Sequence, residues 1–271
     1  MRNRLRSVVV VALAVAAAVL AVPGTATAAP TTVGYDVSYP QCGKPLPTTR
    51  AFAIVGVNGG LSTKANPCLS AQLSWASKSA GTVPSQPRAQ VYLNTANPGE
   101  VRDEVSTWPE TGSTAYGQCD GTNSAACSYR YGWERASNSV DAFFAPAAQI
   151  ARLATDPAAY TWWLDVETMN TWQSGSGAAL ARNRATLEGM TDYLESRGGR
   201  VGIYSTNYQW GQIAGSVPTT STLAGKPSWL AGATSLKGAK ANCSKPALVP
   251  GGKVTLTQYV QSGWDRNHSC I

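Results

Sequence analysis

The 271-residue sequence predicts an α/β fold of the TIM-like barrel class, behind a short N-terminal leader. Two observations carry this. Short apolar runs rich in β-branched residues recur along the chain, and segments of helical periodicity lie between several of them. After Tyr204 the long helical segments stop, while strand-like runs continue through a Gly-, Pro-, Ser- and Thr-rich stretch. No linker and no internal repeat interrupts the pattern, so residues 29–271 read as one domain.

The first 28 residues read as a secretory signal peptide. Arg2, Arg4 and Arg6 form the basic region, Val8 to Val22 the apolar stretch, and Ala26-Thr27-Ala28 a small-x-small cleavage site. The apolar stretch is shorter than the ~20 residues of a membrane span and runs into Pro23-Gly24. The expectation is an exported protein with no membrane attachment after cleavage.

Strands are predicted at Thr32 to Ser38, Ala51 to Asn58, Gln90 to Asn94, Tyr160 to Glu167, Arg200 to Ser205, Ser228 to Gly232 and Val254 to Val260. The second has almost no polar residue, as a strand of a parallel sheet covered on both faces requires. Helices are predicted at Leu69 to Ala80, at Tyr131 to Leu153 with a kink or break at Pro146, and at Ala178 to Arg197. The last places Leu180, Leu187, Met190 and Leu194 on one face and stops at Gly198-Gly199. A short segment around Tyr208 to Ala214 follows, and residues 97–128 read as loop.

Cys42, Cys68, Cys119, Cys127, Cys243 and Cys270 all follow the leader. An even count in an exported chain points to disulfides. Sequence alone does not choose the pairing; joining neighbours in chain order is the working expectation. No CxxC pair exists, and the one histidine, His268, has no partner at zinc-finger spacing, so neither metal nor cofactor is expected. Without the leader the net charge is near +4 and the basic residues are scattered, which argues against nucleic acid as a partner. There is no Gly-x-Ser-x-Gly elbow and no phosphate loop with its lysine.

The chemistry concentrates on Asp165 and Glu167. Residues two apart in a strand face the same way, so both carboxylates project together from the end of an apolar strand. The C-terminal ends of barrel strands are where such folds place catalysis. Trp162, Trp163 and Leu164 lower the local dielectric, and like-charge repulsion raises one carboxyl so that it stays protonated while its partner ionises. Glycoside hydrolysis needs that division of labour. Asp36 ends the first strand and Asp265 follows the last one closely. In a closed barrel the two meet at the same mouth. Trp172, Tyr204, Trp210, Trp229, Tyr259 and Trp264 are candidates for stacking on sugar rings, with two or three expected to touch a ligand.

These pieces resemble glycoside hydrolase family 25, the lysozymes that cleave peptidoglycan. The matching segments are GYDVS at 34–38, WWLDVE at 162–167, VGIYST at 201–206, SWLAGA at 228–233, TQY at 257–259 and DRN at 265–267. The resemblance implies a barrel of five βα units followed by three strands with little helix. It implies Glu167 as general acid/base and Asp165 as the residue that stabilises an oxazolinium formed from the substrate's own N-acetyl group. Asp36 and Asp265 would support them, with Tyr204, Gln258, Asn94 and Trp229 binding substrate. Asn94 ends Tyr92-Leu93-Asn94, where the family usually carries a Tyr-His-aromatic motif. The expected function is a secreted, monomeric muramidase acting on peptidoglycan or a related N-acetylated glycan. The rivals are a wall-binding protein on the same barrel without catalysis, and an exported scaffold or inhibitor that binds no glycan.

Overall fold

Alternation of side chains along eight short strands sorts this chain into an inside and an outside. In the computed structural model, which describes residues 31–271, strands β1 (Gly34–Val37), β2 (Ala53–Gly56), β3 (Ala89–Asn94), β6 (Thr161–Asp165), β7 (Arg200–Ser205), β8 (Ser228–Ala233), β9 (Val254–Gln261) and β10 (Trp264–Ser269) close into a barrel in that order. Neighbours from β1 to β9 are parallel; β10 is antiparallel to both β9 and β1. The leader, and with it the signal-peptide expectation, lies outside the described residues. Among the described residues no helix is long and apolar enough to cross a membrane.

One set of alternating residues fills the barrel: Phe52, Ile54, Trp163, Tyr204, Trp229 and Leu256 pack together there. The other set, including Val55, Val91, Leu93, Trp162, Leu164 and Ile203, packs outward against the helices. Two glycines make room for the large rings inside. A Cβ at Gly34 would sit 2.2 Å from the Phe52 ring, and one at Gly202 would sit 2.3 Å from the Trp163 ring. Trp163 is therefore the tryptophan beneath Asp165. Trp162 and Leu164 face the helical layer and insulate the strand from the other side.

The helices α1 (Leu69–Ser77), α2 (Ala125–Asn138), α3 (Ala145–Ile150), α4 (Gly177–Ser196), α5 (Asn207–Ile213) and α6 (Leu236–Asn242) serve the crossovers from β2 to β9. This differs from the expected layout in two places. The β1–β2 connection has only a 3-10 turn, Tyr39–Gln41, and β8 is followed by α6. Helix α6 escapes periodicity because seven residues carry one large apolar side chain, Leu236. Its start is set by the Ser235 hydroxyl, which accepts from the Gly238 N–H at 3.2 Å.

Strand β10 is not among the seven strands that apolar runs predict. Asp265 and Arg266 lie within it rather than after the last strand. Its inward positions are polar, so no apolar run betrays it. The readable signal was Ser262-Gly263, a two-residue hairpin loop with φ of 55° and 73°. The region 97–128 is not all loop. It holds the hairpin of β4 (Gly112–Thr114) and β5 (Gly117–Cys119), and α2 starts inside it, capped by Ser124. The long Ala-rich segment does not break: α2 widens into a π-helical stretch, Ser139–Phe144, and runs on into α3 with helical backbone at both junctions, and the widened turn accommodates Pro146, which has no N–H to donate. The disulfides are Cys42–Cys68, Cys119–Cys127 and Cys243–Cys270.

Helices α2 and α4 touch backbone to backbone at Gly132 and Gly189. An added Cβ would lie 1.9 Å from the Thr186 carbonyl oxygen at the first and 2.1 Å from the Tyr129 carbonyl oxygen at the second. Alanine gains about 1 kcal/mol of helix propensity over glycine. Backbone cannot yield as a side chain does, and overpacking costs about 1–3 kcal/mol or more. We therefore expect Gly132→Ala to lower the melting temperature by a few degrees. Gly211→Ala in α5, where a Cβ meets nothing within 4 Å, is expected to raise it. Calorimetry of both variants checks the pair, and equal signs would contradict the packing argument.

Candidate active site

The polar end of the barrel opens into a cavity of about 490 Å³. All eight residues expected at the site line it: Asp36, Asn94, Asp165, Glu167, Tyr204, Trp229, Gln258 and Asp265. The strand register explains the convergence. Asn94 pairs with Asp165, Asp165 with Tyr204, and Tyr204 with Trp229, so four neighbouring strands each turn one of these side chains inward at one level. On the far side Gln258 pairs with Asn267, and Gly34 pairs with Asn267 across the seam.

Asp36 is held by two amides. Asn267 Nδ2 donates to Oδ1 at 2.6 Å and Gln258 Nε2 donates to Oδ2 at 3.0 Å. The Tyr204 hydroxyl fixes the Gln258 amide by donating to its Oε1 at 2.8 Å. Burial pushes Asp36 up, the charge of Asp265 adds to it, and the two amides pull it partly back, leaving it at about 7. Asn267 was missed in the sequence. Its signal is its place two residues beyond Asp265, on the same face of a strand not recognised as one.

Asp165 is 5 % exposed, and its Oδ1 has no hydrogen-bond partner. Burial, then the charges of Glu167 and Asp36, raise it well above the carboxylate range. Glu167 lies two residues beyond the end of β6 and is half-buried. Burial and then Asp265 raise it, while a hydrogen bond from Gln209 lowers it. Asp265 is raised by burial. The division between the two β6 carboxyls is thus one of depth: Asp165 resists ionisation beneath, and Glu167 has access to the opening.

Glu167 is fixed through its backbone. Its carbonyl accepts from the Trp172 indole N–H at 3.0 Å and from the Asn170 N–H at 3.2 Å. Gln209, on α5, accepts from the Thr168 N–H at 2.6 Å and so ties the next residue to the neighbouring crossover.

Of the six candidate aromatics, Tyr204 and Trp229 line the cavity and the other four do not. Trp210 and Tyr259 are buried away from the cavity, Trp264 packs edge-on to Tyr35, and Trp172 works as the donor just described. Trp229 is 1 % exposed and tilted against Tyr204, so it floors the cavity and offers no free ring face to a sugar. Tyr204 is buried as well and acts through its hydroxyl. Among the described residues no group of three or more His, Cys, Asp or Glu side chains is disposed to hold a metal ion.

Residues 148–236, about a third of the chain, match the model of a family described as lysozyme-like protein 1. That stretch carries β6, β7 and β8, and with them Asp165, Glu167, Tyr204 and Trp229. No curated protein matches in sequence. Among solved structures, a bacterial lysozyme from Streptomyces coelicolor superposes with a TM-score of 0.50 at 18% identity, over 88% of this chain and 91% of that one. A muramidase from Trichobolus zukalii gives a TM-score of 0.44 at 18% identity, over 88% and 93%. The chain thus carries a lysozyme-like segment on a mixed α/β fold with a closed barrel, shared with a bacterial lysozyme.

The raised Asp36 gives a stability signature. Between its ordinary value of 3.8 and about 7, the folded state holds a proton that the unfolded chain has released. Its contribution is complete below 3.8 and is lost as pH rises through about 7. We expect the melting temperature to fall from pH 5 to pH 8, and Asp36→Asn to flatten that slope. Melts of both proteins across that range check it. A variant with the parent's slope would count against a raised Asp36.

Proposed function

We propose that the protein is an exported glycoside hydrolase of the lysozyme-like, muramidase kind, acting on peptidoglycan or a related N-acetylated glycan. The observation that carries this is the convergence of four carboxylates from β1, β6 and β10 in one solvent-open cavity. The lysozyme-like match over β6 to β8 supports the same reading. Three disulfides suit an oxidising compartment and support export. The closed eight-strand order and the parallel run from β1 to β9 support reading the barrel as TIM-like, with the antiparallel β10 as a departure from it, and the sequence segments quoted above support placing it near glycoside hydrolase family 25.

In this reading Glu167, at the opening, donates its proton to the glycosidic oxygen as the bond from that oxygen to C1 breaks. The carbonyl oxygen of the substrate's acetamido group closes on C1 to form an oxazolinium. Asp165 lies beneath. The acetamido N–H supplies the partner that its Oδ1 lacks, and that hydrogen bond favours the ionised carboxylate that burial disfavours. Glu167, now ionised, takes a proton from the water that opens the oxazolinium. Asp265, less buried than Asp36, opposes with its negative charge the positive charge that develops at C1, while Asp36, held by the Gln258 and Asn267 amides, keeps the floor of the site in place.

Glu167→Gln keeps the shape and removes the transferable proton. We expect it to abolish clearing of cell-wall suspensions and to cut reducing-end release by about 10²–10⁴-fold, with an unchanged melting temperature. A Glu167→Gln protein that clears walls at the parent rate would end this assignment. A parent that sediments with walls but releases no reducing ends would favour a binding protein on the same barrel.

A further inference from the structure

Three large apolar side chains are left exposed around the carboxylate cavity: Tyr39 at 46 %, Leu61 at 51 % and Met169 at 84 %. They come from the connections after β1, β2 and β6, three separate segments that meet at one rim. Exposed apolar groups scattered singly need no explanation, but three gathered on one opening do.

Tyr39 is also held in place. The Ser38–Gln41 capping box fixes its turn, with the Ser38 N–H donating to Gln41 Oε1 at 2.9 Å. The next residue, Cys42, is bonded to Cys68 at the start of α1. Gly60 lies close against the hydroxyl end of the ring: a Cβ there would sit 2.9 Å from Cε1 and Cζ and 3.0 Å from the hydroxyl oxygen. Gly60 belongs to a loop that is itself pinned: buried Asn58 donates to the Ser62 carbonyl at 3.2 Å and accepts from the Asn94 N–H at 3.0 Å. The hydroxyl end of the ring thus sits close to glycine backbone, between two braced loops, with nearly half of the residue's surface open.

We infer that Tyr39 is a sugar-stacking platform and that, with Leu61 and Met169, it forms an added subsite. The subsite holds a pyranose of the glycan chain beside the bond that is cut. This rests on the glycosidase reading and extends it: the substrate is a chain running past the carboxylates and over the rim. Aromatic faces bind the C–H face of a pyranose, and no hydrogen bond is needed. A rim contact of this kind is made equally in the ground and transition states. It sets KM and leaves kcat alone.

The test is steady-state reducing-end release from solubilised peptidoglycan chains by the parent, Tyr39→Ala and Tyr39→Phe, with melts to show that each is folded. Tyr39→Ala is expected to raise KM about five- to tenfold with kcat within about twofold, and Tyr39→Phe to match the parent. The same chains are titrated onto the Glu167→Gln protein with and without Tyr39→Ala, where the affinity is expected to fall by the same factor. If the parent is active and Tyr39→Ala keeps its KM, the platform is wrong and the glycosidase reading stands. If the parent neither cleaves nor binds the chains, both fall.

Discussion

The site depends on how the barrel closes. Parallel crossovers carry the sheet from β1 to β9, and then a two-residue turn at Ser262-Gly263 sends β10 back between β9 and β1. Directly opposed residues of an antiparallel pair face the same side, so the inward residues of this one strand fall against those of both neighbours. Asn267 meets Asp36 and lies across from Gln258; Asp265 lies at the next inward position and adds its charge to Asp36. The first and last strands of the chain are thus welded by a buried carboxylate and two amides. The Tyr204 hydroxyl continues the network to β7, beside Asp165. Moving β10 by one residue would turn Asp265 and Asn267 outward and undo the seam and the site together.

The barrel interior runs from apolar to ionisable, and that gradient sets the electrostatics. Phe52, Ile54, Trp163 and Leu256 plug one end. Of the polar groups buried near them, the Trp163 N–H donates to Gln90 at 2.8 Å and the Trp229 indole N–H has no protein partner. Four carboxylates stand on that plug, and each is pushed upward by burial before any neighbour is counted. The pairwise repulsions then separate them by depth. Asp36 has amide partners that pull it back to about 7; Asp165 has none to offset its burial and is raised well above the carboxylate range. An oxygen left without a partner in such a place costs about 1–3 kcal/mol, a penalty that a substrate N–H can relieve on binding.

What the sequence disclosed follows from this arrangement. Strands that bury one face in the interior and the other under helices read as apolar runs, and seven of the eight barrel strands were legible for that reason. The eighth was not, because its inward residues are Asp265 and Asn267 and its composition is polar. Asp165, Glu167, Asp36 and Asp265 were legible as strand-end carboxylates. Which aromatics offer an open face was not legible, because composition does not distinguish a ring packed as floor from one facing solvent. Trp229 and Tyr204 belong to the first kind, and Tyr39, which belongs to the second, stood unnoticed beside Asp36. Helix α6 needed its cap rather than its periodicity to be seen.

Glu167 raises a separate mechanical question, since it stands beyond the last ladder residue of β6 and must still hold its position. The strand pairing persists in another form: the Val166 N–H donates to the Tyr204 carbonyl at 2.9 Å, and the Ser205 hydroxyl donates back to the Val166 carbonyl at 2.7 Å. The loop that follows is anchored at Gln173, a buried side chain whose amide donates to Asn97 at 2.9 Å and to Asn123 at 2.8 Å and accepts from Asn123 and Arg182. Its backbone is clasped on both sides by the Asn183 amide of α4. Asn97 and Asn123 belong to the cysteine-bearing 97–128 region, whose far end is clipped by Cys119–Cys127. Each of these buried amides would be orphaned by a shift of the loop, at about 1–3 kcal/mol apiece. The insertion therefore works as a buttress: it keeps Trp172 in reach of the Glu167 carbonyl and the carboxylate at the mouth of the cavity.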